Sequence, residues 1–333
     1  MAEKALQSQD MEQQADRESN DPLIFPGFTE WRDLRFCCLH FYSIPNLHQL
    51  FCGHWEVVPF FPILFFLLST SSLLIVTIFA LPYFGIEGQI MIAFMVILFF
   101  LFIYSYFRII TDGPGYYPFY WGTPYQPPDI ENSLLNNNYD SPSGIISKAE
   151  QFEWCQRRHE KPPRSILSRT ARRYVLRPEH YCKWASSWIG KRNHKFFMLF
   201  TFYGILYLGL FVVYLARRMV QCFSDNFSFS MLLLTVYGVS AAAFFLMLVS
   251  FFVSNMIDIS LSRTSWEQWN GIDAKTFDQG TWMNFEDVFG PKEKCVCWIC
   301  PLSPWKNMSN DEIASTYKYN MYQHDSNQPQ NFT

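Results

Sequence analysis

Apolar residues gather into four unbroken windows along this chain, from about Val57 to Pro82, Gln89 to Ile110, Phe196 to Leu215 and Met231 to Met256. Each matches or exceeds the roughly 20 residues with which a helix crosses the hydrocarbon core of a bilayer. None holds Asp, Glu, Lys or Arg in its interior, and Arg108 sits at the end of the second. Two of the gaps are short turns, Tyr83 to Gly88 and Ala216 to Ser230, while the middle one is a polar stretch of 85 residues, 111–195. The pattern predicts an all-α multi-pass membrane protein with four transmembrane helices. Its parts are an N-terminal region (1–56), helices 1 and 2 (57–110), the polar loop (111–195), helices 3 and 4 (196–256) and a C-terminal region (257–333).

Composition agrees with this reading. Half of the 333 residues are hydrophobic, 34 are Phe and only 17% are charged, which argues against two soluble domains. Net charge, −3, matters less than its distribution: 13 of the 26 Lys and Arg residues lie between Ile109 and Lys195, and the first outer turn has none. Basic residues that flank spans stay cytosolic, so the loop and both termini are expected on the cytosolic face; Arg217 and Arg218 dissent. The acidic, Gln-rich start, Met1 to Asp21, reads as disordered and holds no signal-peptide core. Eight of the nine cysteines fall on the cytosolic side, where they stay reduced; Cys222 faces outward. Without ionisable residues inside the spans nothing marks an ion or proton path. The expected setting is an endomembrane (endoplasmic reticulum or Golgi) or the plasma membrane, with the lipid bilayer as partner and no nucleic acid.

The segment from Trp154 to Phe197 reads WCQRRHEKPPRSILSRTARRYVLRPEHYCKWASSWIGKRNHKFF. It resembles the cysteine-rich domain of the DHHC protein S-acyltransferases, which attach fatty acids to cysteines of other proteins. The family's KPxRS, VLxxDHHCPW and VGxxNxxxF runs are matched by Lys161-Pro162-Pro163-Arg164-Ser165, by Val175-Leu176 with Glu179-His180-Tyr181-Cys182 and Trp184, and by Ile189-Gly190 with Asn193, Phe196 and Phe197. These fall in register without insertion or deletion. Thr111 to Tyr116 stands where the family has a DPG turn, Thr264-Ser265-Trp266-Glu267 where it has TTxE, and Asn284 to Gly290 resembles its C-terminal Asn-x-x-x-Val-Phe-Gly motif. The resemblance spans about residues 57 to 305.

It implies a cytosolic, degenerate DHHC domain at about 154–195. The family's eight zinc-ligand positions correspond to Trp154, Arg157, Leu167, Ser168, Ala171, Tyr174, Tyr181 and Trp188, none of which suits a structural zinc. Cys155 and His159 lie out of register, so no metal is expected and no cofactor is bound. The catalytic set implied is Cys182 as nucleophile, His180 as its base and Glu179 in place of the Asp that orients it. The two catalytic side chains cooperate only if 179–182 is a turn or extended segment, which Pro178 favours. Thr264, Ser265, Glu267 and Asn284 are implied as active-site support. Lys161, Arg164, Lys191 and Arg192, with Lys195, either meet the phosphates of the acyl-CoA co-substrate or are ordinary positive-inside residues.

Two functions follow. The first is a protein S-acyltransferase (palmitoyltransferase) that carries an acyl group on Cys182 to cysteines of membrane-associated proteins. The second is a catalytically silent scaffold or accessory subunit, favoured by the vacated zinc positions, Glu179 for Asp, and Lys183 where the family has Pro. Cys295, Cys297 and Cys300 form a further C-x-C-x-x-C cluster, readable as an acylation site, a metal site or an interfacial segment.

Overall fold

The computed structural model describes residues 32–36, 39–44, 49–117, 164–168, 170–171, 173–222, 229–306, 308 and 312–313. The expectations for Met1 to Asp21, for Trp154 to His159 and for Lys161 lie outside these residues. The chain forms two units, 1–50 with 119–160, and 51–118 with 161–333. In the first, β1 (Arg32–Phe36) pairs antiparallel with β2 (Leu39–Ile44), Arg32 opposite Ser43. The second holds the helices and all the site residues described below.

α1 (Phe60–Ile75) continues as a π-helical turn, Val76–Ala80, and a 3₁₀ turn, Leu81–Phe84. Pro82 cannot continue an α-helix, and Gly85 adopts a φ of 59°, so the chain reverses into α2 (Gly85–Asp112). Gly88 packs so closely on this turn that a Cβ would lie 1.9 Å from the Leu81 carbonyl oxygen. The reversal makes an antiparallel pair: Phe65, early in α1, meets Phe102 and Tyr106, late in α2, at 5.3 and 4.1 Å between ring centroids. α3 (His194–Cys222) and α4 (Phe229–Ser260) complete the bundle. α3 is central, burying Tyr203, Tyr207, Phe211 and Tyr214.

Three helical runs among the described residues are long and apolar enough to cross a membrane: Phe60–Asp112, His194–Gln221 and Met231–Ser260. The first is the folded-back α1–α2 pair. Leu67, Ile90, Phe100, Val239 and Leu246 point outward and exposed, a surface suited to lipid rather than water. The dissenting Arg217 pairs with Glu87 of the first turn, and Arg218 stacks 3.3 Å from the Tyr83 ring centroid. Both arginines are thereby occupied locally.

The all-α expectation needs correcting. β3 (Gln49–Cys52) meets β4 (Trp55–Glu56) through Phe51 opposite Glu56. β5 (Ser165–Ser168) pairs with β6 (Arg173–Leu176), and β7 (His180–Cys182) with β8 (Ser187–Ile189). Strands of two to four residues are too short to leave an alternation legible in sequence. Beyond α4, short helices α5 (Ser265–Trp269) and α6 (Thr281–Phe289) fold back onto this strand region.

Candidate active site

His180 and Cys182 lie on β7, with Glu179 just before it, and the partner strand β8 sets Cys182 opposite Ser187. Alternate residues of a strand share a face, so His180 and Cys182 lie together while Tyr181 turns away. The extended backbone meets the condition that cooperation between them requires. The hairpin tip is docked where β4 leads into α1: Trp55 Nε1 donates to the Ala185 carbonyl at 3.1 Å and Ser186 Oγ to that of Val58 at 3.0 Å. Tyr106 of α2 donates to the Trp184 carbonyl at 2.8 Å.

Glu179 is fully buried, its Oε1 3.9 Å from His180 Nδ1. The same oxygen accepts from the Ser265 backbone N–H at 3.1 Å and from its hydroxyl, and Trp266 N–H donates to the Glu179 carbonyl at 3.0 Å. Burial opposes charge on both members of the Glu179–His180 pair. The contact with His180, the field of His194 and the Ser265 hydroxyl nevertheless hold Glu179 down at about 2. Contacts with Cys182 and Glu179 push His180 up to about 9. The arrangement is the Cys182 sulfur beside an imidazole that faces a buried carboxylate.

The supporting residues divide their work. Ser265 touches Glu179 directly, whereas Thr264 and Glu267 form the capping box of α5, with bonds of 3.2 and 2.8 Å. Glu267 also pairs with Arg164, Nε to Oε1 at 2.6 Å. Asn284 donates to the Ser260 carbonyl and to Asp278 and accepts from Gln279 N–H, tying α6 to the end of α4.

A cavity of about 520 Å³ opens at His180, Cys182 and Lys183 and runs between α1, α3 and α4. Its walls are apolar, with Phe65, Phe200 and Phe244 among them. At depth Ser72 Oγ and Tyr207 OH are 2.8 Å apart, and Tyr237 OH donates to Ser71 Oγ at 3.0 Å. Sequence reading missed this contact, because Ser72 and Tyr207 are 135 residues apart and ordinary in their own windows.

Among the described residues, the cations expected at the CoA phosphates have partners within the chain. Arg164 is buried against Glu267; Lys191 is buried on Asp287 and lies 4.4 Å from the Trp305 ring centroid; Arg192 donates to the Trp305 carbonyl at 3.0 Å. Lys195 donates to the carbonyls of Cys297 and Leu302. Their partners are carboxylates and carbonyls of the C-terminal region, which charge counting could not pair with them. A second missed group is the buried set around Arg177. Arg177 Nε lies 3.1 Å from Asp287 Oδ2 and Nη1 2.9 Å from His194 Nδ1, while His194 Nε2 lies 3.2 Å from Asn255 Oδ1. Since Arg177 can only donate, His194 presents Nε2–H to Asn255. Burial would raise the Asp287 carboxyl, but Lys191, Arg177 and Arg164 hold it well below the usual range.

The residues at the described zinc positions do not fit the metal. Leu167 faces Tyr174 across β5–β6, and Ser168 Oγ is engaged with Thr170 and the Ala171 N–H. Tyr181 and Trp188 pack edge-to-face at 5.9 Å, and Tyr181 OH donates to Glu56 at 2.9 Å. Alkyl, hydroxyl, phenol and indole groups are not a zinc donor set. Among the described residues no group of three His, Cys, Asp or Glu is placed to hold a metal ion.

The family model described as DHHC palmitoyltransferase matches residues 148–272. The Arabidopsis thaliana protein named "Probable protein S-acyltransferase 12" is 30% identical over 215 residues, covering 62% of this chain and 71% of that one. "Palmitoyltransferase PFA3" of Candida albicans is 22% identical over 330 residues, covering 83% and 85%. "Palmitoyltransferase ZDHHC15A" of Danio rerio is 30% identical over 150 residues, covering 43% and 45%. With the cysteine and histidine of the motif on one strand face, its carboxylate held by the TTxE-like turn, and a relative matched over most of its length, the chain belongs to the DHHC palmitoyltransferase family.

Proposed function

We propose that this chain is a protein S-acyltransferase that carries a fatty acyl group from acyl-CoA, on Cys182, to cysteines of membrane-associated proteins. The observation that carries the reading is the position of Cys182, beside His180 at the mouth of an apolar cavity between the helices. The Cys182 proton passes to His180 before Cys182 sulfur attacks the acyl-CoA carbonyl, and the charged imidazole gives that proton to the CoA sulfur as the carbon–sulfur bond to CoA breaks. In the second half the thiol of a substrate protein attacks acyl-Cys182 and the proton returns to Cys182 by the same base. Glu179, fixed by Ser265, orients the imidazole throughout. The acyl chain lies in the cavity, and exposed Lys183 at its mouth is the cation suited to the CoA phosphates.

α1 to α4 each cross the bilayer, with the strand region, α5, α6 and both termini on the cytosolic face. The charge contrast between residues 109–195 and the first outer turn supports this orientation. A tag within 124–143 that antibody reaches in intact, unpermeabilised cells overturns it.

Purified protein incubated with labelled palmitoyl-CoA should acquire a hydroxylamine-sensitive label that Cys182→Ser abolishes and His180→Ala slows by roughly 10²–10⁴-fold, the usual worth of general-base catalysis. A label retained in full by Cys182→Ser belongs to another cysteine and leaves the silent-scaffold reading standing.

A further inference from the structure

The C-terminal cysteine cluster lies beside a second apolar groove, on the opposite side of α3 from the active-site cavity. This groove, of about 440 Å³, is formed by Met198, Leu199 and Phe202 of α3, Met256 of α4, Phe285 of α6 and Trp298 of the 3₁₀ segment Lys292–Trp298. The active-site cavity meets α3 at Phe197, Phe200 and Thr201. At about 100° per residue the two sets fall on opposite faces of the helix.

The segment carrying the thiols is pinned to the membrane end of α3. Lys195 Nζ donates to the Cys297 carbonyl at 2.9 Å and the Leu302 carbonyl at 2.8 Å, and Tyr203 OH donates to that of Ile299. Tyr203 is nine residues into α3, so Ile299 sits within its first two to three turns, alongside the apolar window itself. Val296, Ile299 and Leu302 are nonetheless 77, 59 and 56% exposed. Side chains of this kind, at this level, meet lipid. Between them the thiols of Cys295 and Cys297 are exposed and that of Cys300 is half-buried, and all three are free.

We infer that Cys295, Cys297 and Cys300 are acyl-acceptor sites of this chain, with the attached fatty chain lying in the groove beside Trp298 and Ile299. One of these thiols attacks the carbonyl of an acyl thioester on Cys182 of a second copy. A new carbon–sulfur bond forms, the bond to that Cys182 breaks, and the acceptor's proton passes through His180 to the departing sulfur. Transfer within one chain is barred because α3 stands between donor and acceptor. The donor step rests on the acyltransferase reading; the presence of thioesters on the cluster does not.

Two measurements test this. Trypsin releases all three cysteines in one peptide, 295–306, and Cys182 in another, 174–183, so the sites are read separately by mass. Full-length protein isolated from membranes should carry hydroxylamine-sensitive acyl mass on 295–306; an unmodified peptide overturns the assignment whatever happens at Cys182. Purified Cys182→Ser should then be mixed with an intact-nucleophile chain bearing Cys295→Ser, Cys297→Ser and Cys300→Ser, in the presence of labelled palmitoyl-CoA. Labelling of 295–306 in the Cys182→Ser chain should exceed that of the same chain alone by about ten-fold. Equal labelling with and without the second chain shows direct reaction with acyl-CoA and overturns the copy-to-copy route. A labelled 174–183 with no transfer to 295–306 overturns it as well.

Discussion

Acyl-chain length should be set where Ser72 and Tyr207 narrow the active-site cavity into an effective floor, and the structure gives the scale. Phe197 stands edge-on to His180 at 5.0 Å, near the mouth, Tyr207 narrows the cavity by its contact with Ser72, and Phe211 lines it beyond. Ten residues of α3 separate Phe197 from Tyr207, about 15 Å at 1.5 Å per residue. An extended hydrocarbon with carbon–carbon bonds near 1.5 Å advances about 1.25 Å per carbon, so the passage takes about 12 carbons beyond those still at the thioester. The wild-type protein should therefore accept chains of about 14 to 16 carbons. Tyr207→Ala removes the constriction and widens the way to Phe211, one turn and about 6 Å further on, room for four or five more carbons. Ser72→Phe raises the floor by filling the same end from α1. Each buried methylene is worth about 0.8 kcal/mol, close to four-fold in relative rate, so admitting or excluding two of them changes a ratio by about 15-fold.

The assay is competition. Purified protein receives an equimolar mixture of acyl-CoA species from 12 to 20 carbons, and the mass added to peptide 174–183 is read at short times. The ratio of 18- to 14-carbon product should rise at least about ten-fold in Tyr207→Ala and fall comparably in Ser72→Phe. Tyr207→Ala also leaves a void, which destabilises by about 3–5 kcal/mol in the worst case. Tyr207→Phe separates the effects, because it keeps the ring, removes only the hydroxyl and should keep the wild-type profile. Acylation of Cys182 with an unchanged profile in both floor variants would refute the placement of the chain between α1, α3 and α4.

Ser265→Ala deletes the hydroxyl bond to Glu179 while keeping the backbone one; a bond to a charged group contributes about 1.5–3 kcal/mol, so autoacylation should slow by about 10- to 100-fold with little change in acyl-CoA affinity, and Ser265→Thr should restore much of it. His180 rises from 6.5 to about 9 on folding, so its contribution, up to about 3 kcal/mol, is complete below pH 6.5 and disappears as pH climbs through 9. The melting temperature should fall between pH 7 and 10, and His180→Gln should flatten that slope; an unchanged slope would mean that the imidazole is not held charged. Elemental analysis should find well under one zinc per chain and chelators should leave acylation intact, whereas stoichiometric zinc would require Cys155 and His159 to be reconsidered as ligands.

Much of this was legible in sequence, for identifiable reasons. Apolar helices of spanning length are legible because each backbone group in lipid must be satisfied within its own helix, and the helices begin and end within several residues of the apolar windows. The motifs kept Glu179, His180 and Cys182 adjacent in the chain, and the TTxE-like match was enough to bring Ser265 to Glu179. Contacts between elements with no shared motif were not legible: Ser72 with Tyr207, Tyr106 with the Trp184 carbonyl, Arg177 with His194. The partners of the basic residues were not legible either, because an exposed lysine and one buried on a carboxylate look alike in sequence. Arg164 and Lys191 became structural only when α5 and α6 supplied Glu267 and Asp287.

That last pairing explains how the strand region, with no zinc donor set among its described residues, fixes the geometry of His180 and Cys182. Arg164, Arg177 and Lys191 are buried cations around the hairpins, and Glu179, Glu267 and Asp287 are the acidic groups that face them or the catalytic histidine. Two of these three carboxylates come from the C-terminal motifs. Removing either should leave a buried charge without its counterpart, a defect costing about 3–5 kcal/mol. Such pairs need not stabilise more than an apolar core would, but each one fixes an element to another: Glu267 joins α5 to the residue before β5, and Asp287 joins α6 to the ends of β6 and β8. Tyr181 and Trp188 fasten the β7–β8 hairpin across its outer face and to Glu56. A metal would hold ligands only a few ångströms apart. Here the constraint is distributed from the foot of α1 to the C-terminal helix, so the geometry of His180 and Cys182 depends on the C-terminal region as directly as on the motif that contains them.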